Sequence, residues 1–236
     1  MTLKNIIIIA LCSSIALFIF LSLSYTGIFQ NVSFVRFGYE EEYIGLKTIS
    51  LCPLSSTLLM LLNGLFYISF ALFLQKIKSG IANKMLCNIA LVVWCYAAFV
   101  TLFYNALYAY IGWIYNGQEI ISDTASYWQE EGIARYPLLY MVLFNDIFDS
   151  GWSVGGLFRF IPWMLSYVLL IPFFISVKKV NKVFSVAGAV TMVVSLVYCI
   201  LSLFIYLDTV LLICKACWVA TFAVALKGYE SNKLPY

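Results

Sequence analysis

Two cysteines and a lysine form the densest group of reactive residues in the sequence. Cys214 and Cys217 are three residues apart, and Lys215 lies between them. In a helix, residues at i and i+3 lie on one face, so the two thiols would be neighbours. A nearby cation favours the thiolate, which is the nucleophilic form of cysteine. The pattern predicts, as one alternative, a thiol-disulfide oxidoreductase that passes electrons to a quinone-like acceptor.

Two further cysteines are candidate relay thiols. If the chain forms an antiparallel hairpin about Asp208, Cys199 lies nine residues before the turn and Cys217 lies nine residues after it. Equal helical rise then predicts that these two thiols lie at the same depth. Cys52 is near the same end of an earlier apolar segment. We therefore include Cys199 and Cys52 among the redox candidates.

The stretch from Tyr206 to Thr221, with a Cys-x-x-Cys one turn before Thr221, faintly resembles the last helix of vitamin K epoxide reductase and related disulfide-generating membrane enzymes. The resemblance implies thiol-disulfide chemistry at Cys214 and Cys217. Those families also carry a partner cysteine pair in an exterior loop, whereas residues 29–49 and 115–156 contain no cysteine.

The second alternative for these cysteines is a packing role. Small residues spaced four apart let the backbones of two helices approach closely in lipid. Free cysteine is also among the most buried residue types. Such stripes predict close contact between the last two helices, and their members are Ala187, Thr191, Ser195 and Cys199 in one segment and Cys217, Thr221 and Ala225 in the next.

Lys215, together with Asp208, is also a candidate for ligand binding, because an ionisable residue inside an apolar span is a functional-site hypothesis by default. Asp208 precedes it by almost two helical turns, so both side chains point the same way and the ammonium can extend toward that carboxylate. Extension toward Asp208 and binding of an anionic ligand remain alternatives.

Trp152 is a candidate for ligand stacking, with an aromatic belt at the membrane interface as the other interpretation. Asn63 and Asn105 are expected to form hydrogen bonds between helices.

Asp146 and Asp149 are candidate metal ligands. Their i, i+3 spacing would place two carboxylates on one helical face, an arrangement that suits a divalent cation. The segment resembles the opening of the CDP-alcohol phosphotransferase signature, with Arg159 further on. The Gly-x-x-x-Asp-x-x-x-Asp continuation of that signature is absent. The alternative is a solvated acidic surface.

The composition excludes several classes of protein. Of the 236 residues, 64% are hydrophobic and 11% are charged, whereas a soluble domain carries about 25% charged residues. A soluble fold is therefore excluded. The absence of histidine excludes haem, zinc and copper sites with His ligands, and it excludes Ser-His-Asp catalysis.

The elements that must position these residues are apolar segments of roughly 20 residues, the length that crosses about 30 Å of hydrocarbon. The predicted fold class is an all-α polytopic transmembrane bundle, a single integral membrane domain over residues 1–236. For the first segment, a cleaved signal peptide is the alternative, and it would leave five spans. The six predicted spans are 6–28, 50–74, 86–114, 157–177, 183–206 and 209–226.

Basic and acidic connections alternate between these spans. Nine of the 14 lysines and arginines flank one set of span ends, which indicates a role in membrane orientation. By the positive-inside rule, both termini are expected in the cytoplasm (N-in/C-in). Residues 115–156, between spans 3 and 4, then form a small exterior cap. The expected location is a bacterial inner (plasma) membrane.

No motif identifies a reaction. The predicted function is therefore that of a multi-pass integral membrane protein acting as a binding, accessory or scaffold component, or as a small transporter. The expected partners are the lipid bilayer and either other membrane proteins or a second copy of the chain. Nucleic acid is not expected as a partner, and quinone is expected as a cofactor only in the oxidoreductase alternative.

Overall fold

Six long helices contain most of the residues that the structure describes. This computed structural model describes residues 1–25, 36–39, 46–50, 53–78, 84–115, 120–121, 154–202, 208–231 and 234. A short 3-10 turn, Val177–Lys179, connects the fourth helix to the fifth. The helices are α1 (Leu3–Tyr25), α2 (Pro53–Ile77), α3 (Lys84–Tyr115), α4 (Val154–Ser176), α5 (Lys182–Ser202) and α6 (Asp208–Glu230).

The helices form a closed ring in chain order. Each helix packs against its neighbours in the sequence, and α6 returns to pack against α1. Successive helices from α2 onward run antiparallel. The Trp94 indole N–H donates to the Tyr67 carbonyl oxygen between α2 and α3 at 3.2 Å, and the rings of Phe174 and Phe184 meet between α4 and α5.

Side chains on the outer surface of the ring recur at alternating spacings of three and four residues. On α5 these are all valines, from Val183 through Val197, and on α2 they are four leucines and Ile68. An average repeat of 3.5 residues is typical of helices that cross at about 20° in a left-handed bundle. Since the inner and outer faces are both apolar, the ring has an outer surface suited to lipid.

Five of the helices are long and apolar enough to cross a membrane: α1, α2, α3, α5 and α6. In α4 the apolar helical stretch is shorter, Phe160–Ser176, and the helix continues through Pro162 and Pro172. Five such helices fit a multi-pass membrane protein, as the sequence predicted. The helical bundle is confirmed to this extent.

The structure adds a small antiparallel sheet that the all-α prediction did not include. Its strands are β1 (Arg36–Tyr39), β2 (Leu46–Ser50) and β3 (Ile120–Ile121), in the order β1-β2-β3. Arg36 pairs with Ser50, and Thr48 pairs with Ile121. Strands of two to five residues are too short to give a period-2 signal in the sequence, although aromatic and β-branched residues favour them. Most of the predicted cap, 115–156, lies outside the described residues.

Candidate intramembrane site

Two ends of the ring are used as landmarks. The end at which α2 begins and α3 ends is called the acidic end, because the connections there contain most of the acidic residues of the sequence. The opposite end is called the lysine end, and it carries the exposed side chains of Lys84, Lys182 and Lys227.

An aromatic layer fills the centre of the ring. Phe66 of α2 and Trp218 of α6, helices that are not neighbours in the ring, meet edge to face with centroids 5.0 Å apart. The Trp94 side chain is fully buried, and its ring lies 4.9 Å from that of Trp163. Perpendicular contacts of this kind are the preferred geometry of aromatic pairs. The layer is formed by Phe66, Phe70, Trp94, Trp163, Trp218 and Phe222.

Lys215 approaches this layer from the side of the acidic end. Its Nζ atom lies 5.4 Å from the centroid of the Phe66 ring, and Phe66 is only 2% exposed. An ammonium over an aromatic face is stabilised by the ring quadrupole, by about 0.5–2 kcal/mol. The Lys215 side chain is therefore directed at the interior of the bundle, as expected for an ionisable residue with a role inside a membrane protein.

The charge of Lys215 has no nearby carboxylate among the side chains that the structure describes. The one described carboxylate side chain is that of Glu230, which is exposed and lies 15 residues after Lys215 on α6. This spacing separates the two residues by about 22 Å along the helix axis. The Asp208 backbone begins α6, but its side chain lies outside the described residues. The predicted extension of Lys215 toward Asp208 therefore stays a prediction.

Cys214 precedes Lys215 on α6 and contacts α5. Its sulfur is 3.1 Å from the Ser195 hydroxyl oxygen, and this hydrogen bond joins α6 to α5. Cys214 is 4% exposed and Ser195 is fully buried. Ser195 is one helical turn before Cys199 on α5, so Cys199 lies about one turn nearer the acidic end than Cys214. The structure thus brings three of the predicted site residues into one region.

The predicted match in depth between Cys199 and Cys217 is wrong. The Thr191 hydroxyl donates to the Cys217 carbonyl oxygen at 3.0 Å, so Cys217 is level with Thr191. Cys199 lies eight residues further along α5, about 12 Å away along the axis. The reason is the position of the hairpin: α5 ends at Ser202 and α6 begins at Asp208, so the two helices turn about a point before Asp208, and the residue level with Cys217 lies earlier in α5 than Cys199.

Cys214 and Cys217 are both free thiols, as are Cys12, Cys87, Cys95 and Cys199. Helix positions at i and i+3 hold their Cβ atoms about 5–6 Å apart, and a disulfide requires about 3.5–4.5 Å. A bond between Cys214 and Cys217 would therefore require the helix to distort. Cys52, the fourth redox candidate, lies outside the described residues.

The packing prediction for the small-residue stripes is confirmed. Thr191 of α5 and Thr221 of α6 are both 1% exposed, and their hydroxyl oxygens lie 2.8 Å apart. Since Thr191 donates to the Cys217 carbonyl, Thr221 must donate to Thr191. The stripes therefore bring α5 and α6 close enough for direct hydrogen bonds between them.

Three more site predictions fall on residues that are not described: the ligand candidate Trp152 and the metal candidates Asp146 and Asp149. The backbone of Arg159 belongs to α4, and its side chain is not described. Over the described ranges, no group of three or more Cys, Asp or Glu side chains is placed to hold a metal ion.

Sequence reasoning missed several polar residues of the interior. Ser55 is 3% exposed and Ser166 is fully buried, and neither hydroxyl has a hydrogen-bond partner within the described structure. The Asn105 amide nitrogen is also buried without a partner there, so this nitrogen does not form the predicted bond between helices. A buried group in this state costs about 1–3 kcal/mol. Serine is common in apolar helices as a packing residue, so no signal in the sequence distinguishes these positions.

No protein-family model, curated protein or solved structure matches this chain. The function must therefore be argued from the geometry of the bundle.

Proposed function

We propose that this chain is an integral protein of a bacterial plasma membrane with six spans and both termini in the cytoplasm. Two observations support this assignment. The lysines at the ends of α2 and α6 and at the starts of α3 and α5 share one end of the ring, which the positive-inside rule assigns to the cytoplasm. Helix α1 packs against both α2 and α6, which supports its retention as a span of the bundle. Residues 115–156 then belong to an exterior cap.

Within that architecture, the chain acts as a binding component that holds an anionic group at Lys215. The observation that carries this proposal is the position of Lys215 Nζ over the buried Phe66 ring, on a helix long and apolar enough to span a membrane. A charge inside a span costs about 2.5–3.5 kcal/mol at the bilayer centre. An anion at Lys215 would offset much of this cost, because opposite charges attract strongly where the dielectric constant is low.

The groups around Lys215 would help to orient such an anion. The Ser195 hydroxyl, 3.1 Å from the Cys214 sulfur, supplies a second donor at the same level when the thiol donates to the hydroxyl oxygen. The Phe66 ring positions the ammonium without neutralising it. Such a site suits a binding or accessory role, and it is equally compatible with a small transporter. The proposed partners of the chain are the lipid bilayer and, in addition, either other membrane proteins or a second copy of the chain.

The test is stabilisation of the purified protein by anions. Thermal unfolding in detergent is followed with increasing inorganic phosphate, and in a second arm with micelles that carry increasing phosphatidylglycerol. A ligand at 100 times its dissociation constant stabilises by about 2.7 kcal/mol. The wild type should gain stability in at least one arm, and Lys215→Gln should lose that gain.

Lys227→Gln is the matched control, because Lys227 is on the same helix but exposed at the lysine end. It should respond like the wild type. An equal response from Lys215→Gln and the wild type would contradict the proposal.

A thiol oxidoreductase is the second candidate, and one observation favours it. The Cys214 sulfur is 3.1 Å from the hydroxyl of Ser195, which lies one helical turn from the buried Cys199 on α5, so a second thiol is close by. In the proposed reaction, Cys214 forms a disulfide with Cys199 or Cys217, and the two electrons and two protons released reduce a quinone to a quinol. Reduced protein mixed with a short-chain ubiquinone should form quinol. Cys214→Ser should abolish this reaction and Cys87→Ser should not; equal quinol formation by both variants would eliminate this candidate.

A further inference from the structure

We propose that the anion reaches Lys215 from water at the acidic end, along a polar path inside the bundle whose mouth is at Ser55 and which continues past Asn105. This inference rests on the proposed binding function of Lys215. It specifies the ligand as a small water-soluble anion, such as phosphate or a short carboxylate, that enters along the axis of the ring.

The register of the helices places Ser55 and Asn105 on the same side of the aromatic layer but at different depths. The Trp113 indole N–H of α3 donates to the Thr57 hydroxyl of α2 at 2.9 Å, so Ser55 lies near the end of α3 and Asn105 lies about two turns deeper. Ser55 precedes Phe66 by 11 residues on α2, and Asn105 follows Trp94 by 11 residues on α3. Eleven residues are three helical turns, so each polar residue shares a face with its aromatic partner. Phe66 and Trp94 meet at the centre of the ring, with centroids 6.3 Å apart. Because α2 and α3 are antiparallel, Ser55 and Asn105 both lie toward the acidic end of that central line.

The hydrogen-bonding state of these residues supports a polar path. The Ser55 side chain is 3% exposed, and its hydroxyl and the Asn105 amide nitrogen have no hydrogen-bond partner in the described structure. Buried polar groups are nearly always paired, and an exception requires an explanation such as a solvent or ligand role. Asn63, 7% exposed, lies on α2 between Ser55 and Phe66. Polar side chains thus continue from the mouth toward Lys215.

The centre of the bundle toward the lysine end and the lipid-facing side of α6 beside Lys215 are apolar. Toward the lysine end, the aromatic layer is followed by the buried rings of Phe73, Phe174 and Phe184. Toward the lipid, the neighbouring outward positions on α6 are Ile213 and Ala216. An anion that entered from the bilayer or from the lysine end would have to lose its water without replacement, at a large cost in free energy.

The polar groups of the path also indicate the sign of the ligand. A serine hydroxyl and an asparagine amide N–H donate hydrogen bonds to anions. The path ends at an ammonium, and the described side chains along it include no carboxylate. These features favour an anion over a cation.

The experiment measures the reaction of introduced cysteines with sulfonatoethyl methanethiosulfonate, a water-soluble anionic reagent, in membrane vesicles of known orientation. Ser55→Cys and Asn105→Cys are compared with Leu58→Cys, which is one turn from Ser55 but faces outward with 44% of Leu58 exposed. Peptide mass spectrometry locates each label, so the native cysteines remain in place. Ser55→Cys replaces an oxygen by a sulfur and preserves the fold.

Labelling at Ser55→Cys and Asn105→Cys should be at least tenfold faster than at Leu58→Cys, and only when the reagent is on the side of the acidic end. Excess inorganic phosphate should slow the labelling of both cysteines when Lys215 is present, and it should have no effect when the protein also carries Lys215→Gln. Equal rates at all three positions, labelling from the lysine end, or no effect of phosphate would overturn the path. If the labelling rates contradict the path but phosphatidylglycerol still stabilises the protein in a Lys215-dependent way, the ligand is an anionic lipid. The proposed function would then stand.

Discussion

The two halves of the bundle differ in what fills their centre. On the lysine side, the interior is occupied by large rings and aliphatic side chains, among them Phe73, Phe174 and Phe184. On the acidic side, the same helix faces carry the small or polar residues Ser55 and Asn105. Lys215 lies at the boundary. Since a stable bundle needs only dense packing, the polar half is the one that must be explained by function.

The hydrogen bonds follow the same division. In the layer, the Trp94 indole N–H is bonded to a backbone carbonyl, and just beyond it the Ser69 hydroxyl donates to the Phe66 carbonyl oxygen at 2.9 Å. The Ser55 hydroxyl lacks a partner in the described structure. Ser166, three residues after Trp163 on α4, is an exception, because its hydroxyl also lacks a partner in the described structure and it lies at the level of the layer. Among the other buried side chains that the structure describes, hydrogen-bonding capacity remains only on the acidic side, where something can enter.

The largest expected effect is the loss of a ring from the packed layer. Trp94→Ala should destabilise the protein by about 3–5 kcal/mol, because it leaves a cavity at the centre of the ring. Unfolding in detergent with increasing sodium dodecyl sulfate measures the change. Phe99→Ala is the control on the same helix, since Phe99 is 67% exposed, and it should change stability by no more than about 0.5 kcal/mol. Equal losses would mean that the layer does not hold the bundle together.

A smaller effect on stability is expected where α4 and α5 pack closely on the lysine side. A Cβ atom at Gly188 would overlap the Phe174 ring, so Gly188→Ala should cost about 1–3 kcal/mol through overpacking. In Gly64→Ala, the new Cβ would lie 3.7 Å from the Leu102 side chain, an ordinary contact, and no loss is expected. The same unfolding assay applies. Phe174→Leu should restore stability to the Gly188→Ala variant, and failure of this rescue would contradict the packing explanation.

A serine from each half provides a more sensitive comparison. Ser55→Ala removes a buried hydroxyl without a partner in the described structure, so its stability should stay the same or rise by about 1 kcal/mol. Ser69→Ala removes a bonded hydroxyl and should lose about 0.5 kcal/mol. Thermal unfolding of both variants in one detergent measures the difference. A larger loss for Ser55→Ala would show that this hydroxyl is already satisfied in the folded protein.

The smallest expected effect concerns the thiols. If the cysteines are packing residues, maleimide mass-tagging in denaturant should count seven reactive thiols in native membranes, with or without prior reduction. The Cys214→Ala, Cys217→Ala double variant should count five in both conditions. A reducible bond that involves Cys214, Cys217, Cys199 or Cys52 would instead support the oxidoreductase candidate.

The helical membrane bundle was predictable because apolar run length is a direct requirement of the bilayer. The contact between the stripes of α5 and α6 followed from residue spacing alone, and it is seen between Thr191 and Thr221. Two features were not predictable. The short strands leave no periodic signal, and the depth of Cys199 depends on where a hairpin is centred, which apolar composition does not specify.

The candidate site was predictable only in part. Lys215 stands out in the sequence because charge is rare inside a span. Its direction toward Phe66 depends on which face of α6 meets the ring centre, and α6 is apolar on every side. For the same reason, Ser55 and Asn105 could not be distinguished from other polar residues of apolar helices until the register of α2 and α3 was known.

The closure of the ring between α1 and α6 has a consequence for biosynthesis. Asp208, where α6 begins, comes 183 residues after Tyr25, where α1 ends. At about 5–20 residues per second, translation of that interval takes roughly 10–40 s. During this time, the face of α1 that later packs against α6 has no partner from its own chain. Of the six helices, α1 is therefore synthesised earliest but is among the last to be fully packed, and insertion factors have their longest opportunity to act on it.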